Sequence, residues 1–138
     1  MYCVYVLSNF DLTLLINRPA MSNKQQVATY MSAFSKTDKP AILSLLTDDV
    51  IWEMPGFYRH EGIEAFEKEI HPPHADGPPD INVTRLVEEG NIVVAEGTVK
   101  AKMKGGQLID AVFCDVFHFR GDKINQLTSY VMFLNKPF

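Results

Sequence analysis

The residues best able to do chemistry are one carboxylate and one phenol. Between Val112 and Phe119, the residues Phe113, Asp115, Phe117 and Phe119 alternate with Val112, Cys114, Val116 and His118. The period of two in a strand puts Asp115 on the same face as Phe113 and Phe117, where an unpaired charge is expensive. Such a carboxyl either finds a donor, or its pKa rises until it is protonated and can donate a hydrogen bond to a ligand. If that face instead looks outward, Asp115 meets water or a lysine across the strands. Tyr30 falls on a helical stripe with Val27, Met31 and Phe34. Its hydroxyl, if buried, needs a ligand oxygen or a backbone carbonyl as partner.

Phe34, Trp52, Met54, Phe66, Phe113 and Phe117 have the composition of an apolar pocket wall, and equally that of an ordinary core. His71-Pro72-Pro73-His74 has an HxxH spacing, but the two prolines forbid the helix that would put both imidazoles on one side. We therefore expect no metal. Walker, GxGxxG, GxSxG and HExxH patterns are all missing from the sequence, so no cofactor is expected either.

The elements that must position these groups follow from periodicity. Ser22-Asn23-Lys24-Gln25 reads as a capping box opening a first helix that runs to about Ser35. Thr37 or Asp38 caps a second, short helix with Pro40 in its first turn and Ile42, Leu43, Leu45 and Leu46 facing inward, ended by Thr47-Asp48-Asp49. A strand over Val50 to Met54 stops at Pro55-Gly56, and a third helix follows Gly62 with Ile63, Phe66 and Ile70 on its apolar side. His71 to Asp80, with four prolines and a glycine, is an irregular loop. Ile81 to Val87, Ile92 to Met103, Leu108 to Phe119 and Ile124 to Leu134 are β-rich runs joined by hairpin-length turns, an antiparallel meander. Helices followed by consecutive hairpins give an α+β fold.

A chain of 138 residues, 46% hydrophobic and 22% charged, forms one globular domain with a real core. Against 17 acidic residues its 13 basic ones form no stripe, which argues against a nucleic-acid partner. No apolar run approaches the ~20 residues of a membrane helix, so no membrane partner is expected. Two cysteines without ligand spacing read as free thiols in a reducing, cytoplasmic compartment. Met1 to Leu7 lacks the Lys or Arg of a signal peptide. Residues 1–21 read as an extension upstream of a functional start at Met21, and residues 22–138 as the domain. Because both faces of the Asp115 strand are largely apolar, the face turned from the helices needs a cover, and the simplest is the same sheet of a second subunit. A homodimer is expected.

Four stretches in this order and spacing resemble the nuclear-transport-factor-2-like superfamily, in its SnoaL-like and ketosteroid-isomerase-like branch. They are Tyr30-Met-Ser-Ala-Phe34, Leu45 to Gly56, Gly62-Ile-Glu-Ala-Phe66 and Phe113 to Ile124. The resemblance spans Gln25 to about Leu134. It implies a conical α+β barrel: a strongly curved, mixed and mostly antiparallel sheet closed by about three N-terminal helices around a deep apolar pocket, usually dimeric through the sheet.

Ketosteroid isomerases pair an aspartate base with a tyrosine and a protonated aspartic acid, a system whose protonated acid is a known instance of pKa tuning. By the resemblance Tyr30 matches that tyrosine, Asp115 the protonated acid, and Met54 the base. A thioether cannot take a proton from carbon. In SnoaL-type polyketide cyclases an aspartate on the strand matching Asp115 is the acid/base. The arginine and paired aspartate of limonene epoxide hydrolases have no counterpart on Glu96 to Lys102. The expectation is a pocket for a small apolar cyclic carbonyl or polyketide-like compound, with Asp115 as acid/base and Tyr30 polarising a ligand oxygen in a cofactor-free isomerase or cyclase. The competing reading is a non-catalytic ligand-binding or dimerisation module, disarmed at Met54.

Overall fold

The computed structural model describes residues 20–135. Most of the extension expected over residues 1–21 lies outside them. Among the described residues three helices precede most of a six-stranded sheet: α1 (Asn23–Ser35), α2 (Lys39–Leu43), β1 (Leu46–Met54), β2 (Tyr58–Glu61), α3 (Ile63–Ile70), β3 (Asp80–Glu89), β4 (Ile92–Lys102), β5 (Leu108–Arg120) and β6 (Lys123–Phe133).

The local signals for the helices act as expected. The Ser22 hydroxyl accepts from the Gln25 backbone N–H while the Gln25 side chain accepts from that of Ser22, so the capping box is reciprocal. Asp38 caps α2 through the Ala41 N–H, with Pro40 in the first turn. Gly62 precedes α3 at φ +89°, a backbone state that side chains with a Cβ rarely adopt. The proline-rich stretch after α3 is irregular as far as Asp80.

Two boundaries differ from expectation. Thr47-Asp48-Asp49 does not end α2 but lies inside β1, because Leu46 pairs with Ile124 and the Ile124 N–H donates to the Leu45 carbonyl, which starts the strand early. The two carboxylates are accommodated because Asp48 and Asp49 face solvent, where Asp49 pairs with Arg120. The hairpin partner of β1, Tyr58–Glu61, had no strong signal in so short a run.

Strand order is β2-β1-β6-β5-β4-β3, with β1 parallel to β6 and every other pairing antiparallel. The expected conical barrel, a strongly curved sheet closed by helices, is corrected to an open six-stranded sheet: among the described residues no ladder joins its outer strands β2 and β3. The helices cover one face, α1 against β3 and β4 and α3 against β1 and β2. Between them lies a core that includes Val27, Ile42, Val50, Phe66, Phe117, Ile124 and Leu127. At about 25 cal/mol per Å² this burial is the main stabilising contribution.

Candidate functional site

A cavity of about 200 Å³ opens between α1, α3 and the covered face of the sheet. Asp115 lines it, which excludes the outward-facing alternative. Its Oδ1 is sealed from solvent and has no hydrogen-bond partner among the described residues. The residue keeps some exposure as a whole, by way of the cavity. Ser129 stands opposite it in the β5–β6 ladder and donates its hydroxyl proton to the carboxyl, while accepting from Trp52 Nε1 at 3.0 Å. Desolvation outweighs that single bond, and the Asp115 pKa is pushed up to about 7. At neutral pH the group is both an acid and a base.

Tyr30 reaches the same cavity from α1 and is only 2% exposed. Its ring is held edge-on against Phe117 at 5.2 Å and Phe66 at 6.4 Å. No hydrogen-bond partner for its hydroxyl lies among the described residues. Burial first, then the nearby charges of Asp115 and Tyr58, raises its pKa well above the ordinary phenol value, so it remains a donor. Phe34, Trp52, Met54 and Phe113 form walls of the cavity.

Phe66 and Phe117 do not. Both are completely buried behind the wall, Phe66 against Trp52 at 4.7 Å and Phe117 against Tyr30. Composition could not separate a wall residue from the layer supporting it, because depth is decided by packing. His71 and His74 lie in the loop after α3, and among the described residues no three His, Cys, Asp or Glu side chains gather into a metal-ligand set.

Sequence reasoning missed Tyr58, Glu69 and Ser129, which all line the cavity. The Tyr58 ring lies edge-on to Trp52 at 5.5 Å and stacks on His60 at 4.5 Å. His60 Nε2 is 3.1 Å from Glu69 Oε1. Burial, then the charges of Glu69 and Asp115, raise the Tyr58 pKa beyond the usual phenol range. The available signals were weak. Tyr58 and His60 sit two apart just after Pro55-Gly56, a spacing that shares one face of a strand, and Glu69 follows Phe66 by three on α3.

A family model for the SnoaL-like domain matches residues 27–127. The chain belongs to the SnoaL-like domain family. Solved structures agree at the level of fold. A nuclear-transport-factor-2-like protein of unknown function from Burkholderia pseudomallei is 22% identical, with a TM-score of 0.72 over 81% of this chain and 92% of that one. An LEH-like epoxide hydrolase from M. tuberculosis is 19% identical, with a TM-score of 0.69 over 78% and 80% of the two chains. A protein with a ketosteroid-isomerase-like fold from Catenulispora acidiphila, in complex with trimethylamine, is 17% identical, with a TM-score of 0.67 over 77% and 84%. No curated protein matches. No helix among the described residues of this SnoaL-like chain is long and apolar enough to cross a membrane.

Proposed function

We propose that this SnoaL-like protein catalyses cofactor-free proton transfer beside a carbonyl group in a small cyclic or polyketide-like compound. The observation that carries this reading is that the Asp115 carboxyl and the Tyr30 phenol line one aromatic cavity. Protonated, Asp115 donates to a ligand oxygen. Ionised, it accepts a proton from carbon, and Tyr30 stabilises the oxyanion that forms. A volume near 200 Å³ is below the usual range for drug-sized ligands and favours a single small ring. Glu96 to Lys102 contains neither Arg nor Asp, so epoxide opening of the limonene-hydrolase kind is not part of the proposal.

The test is conversion of a β,γ-unsaturated cyclohexenone into its conjugated isomer, followed by ultraviolet absorbance. Wild type should turn it over, and Asp115→Asn should be slower by about 100-fold or more. Equal rates would end the assignment. A second reading, a ligand-binding module without catalysis, is favoured by Met54, which lines the cavity where the resemblance puts a base. If turnover appears only in Met54→Asp, that second reading is the right one.

The same proposal includes a homodimer. On the uncovered face of the sheet, Val112 lies opposite Met132 and Cys114 opposite Tyr130. Tyr130 is 55% and Met132 66% exposed, large apolar side chains that a partner sheet would cover.

A further inference from the structure

We propose that Glu69 is the carbon base of this cavity, taking the part that Met54 cannot play, and that His60 positions it. The proposal rests on the carbonyl proton-transfer reading above and divides its labour between two carboxyls. Glu69 comes from α3 and lines the cavity, with its side chain 28% exposed. Asp115 comes from β5 at the dry end, with one oxygen sealed. Tyr58 stands within the field of both, since each of their charges opposes its ionisation. Among the described residues no Lys or Arg lines the cavity to neutralise either acid.

The two environments suit opposite tasks. A partly exposed carboxyl, hydrogen-bonded to an imidazole at 3.1 Å, has a polar partner for its charge. One in an apolar pocket favours its neutral form and serves as a donor. His60 is itself held by its stack on Tyr58 at 4.5 Å, so the Glu69 carboxylate is aimed by a ring that cannot turn freely. In the reaction, Glu69 takes the proton from the carbon between carbonyl and double bond. The C–H electron pair becomes part of a dienolate, and negative charge collects on the carbonyl oxygen, where Asp115 and Tyr30 donate hydrogen bonds. Glu69 then returns the same proton to the far end of the dienolate, the carbonyl reforms, and no other reactant is consumed.

The experiment follows the β,γ-unsaturated cyclohexenone in Glu69→Gln, Asp115→Asn and wild type, with phenol affinity measured alongside as an oxygen-end probe. Glu69→Gln should lower kcat by about 100-fold or more while phenol binds as tightly as to wild type. Asp115→Asn should weaken phenol binding as well as turnover. His60→Phe keeps the stack on Tyr58 but loses the hydrogen bond; it should lower kcat and leave KM unchanged, a split that a purely structural role would not produce. Undiminished turnover in Glu69→Gln beside a slow Asp115→Asn overturns the Glu69 assignment and leaves the proposed function standing. A wild-type protein that binds phenol but never converts the enone overturns both.

Discussion

Trp52 Nε1 donates to Ser129 Oγ at 3.0 Å across 77 residues of sequence, and Ser129 faces Asp115 in the neighbouring strand. The indole therefore orients the hydroxyl that serves the buried acid. Ser129→Ala should raise the Asp115 pKa further above about 7, because the one bond that lowers it is lost. It also leaves a buried indole N–H unpaired, at a cost of about 1 to 3 kcal/mol. Urea unfolding measures the second effect and carboxyl titration by NMR the first.

Asp115 should make the protein less stable as pH rises. Its pKa is about 7 in the fold against an ordinary 3.8, so the folded state holds a proton that the unfolded chain releases. Below about pH 4 both states are protonated and the penalty vanishes. Between there and pH 7 stability declines, and above pH 7 the full penalty is present, up to roughly 4 kcal/mol. Asp115→Asn should thus gain stability over wild type at pH 8 and show much less gain at pH 4, as read by chemical unfolding at the two values.

Gly97 leaves room for a cavity wall. A Cβ there would meet the Asn82 carbonyl oxygen and come within 2.7 Å of Phe113 Cζ. Backbone cannot yield cheaply, so Gly97→Ala should cost about 1 to 3 kcal/mol and displace the Phe113 ring. Thermal unfolding checks the first result, and reduced phenol affinity the second.

The uncovered face of β5 and β6 should carry the subunit contact. Tyr130→Lys with Met132→Lys places charge on that patch without touching the covered face, and should turn a dimer into a monomer in light scattering. A wild-type protein that already scatters as a monomer would refute the contact.

Local and periodic signals were legible in the chain alone. Ser22 with Gln25, Asp38 with Pro40, and Gly62 each act within a few residues of themselves, so their helix starts were readable. The strand period of two put Asp115 beside Phe113 and Phe117, and that placement survives in the fold. Long-range packing settled the rest. Parallel pairing of β1 with β6 brings Trp52 level with Leu127 and within reach of Ser129, a relationship that no spacing along the chain encodes. The same packing sets Phe66 and Phe117 one layer behind the wall, and brings Tyr58 and Glu69 into the cavity from a four-residue strand and a separate helix. A side chain's type shows what it can do. Which groups share a dry space depends on how distant elements pack, because burial and charge act through space and not along the chain.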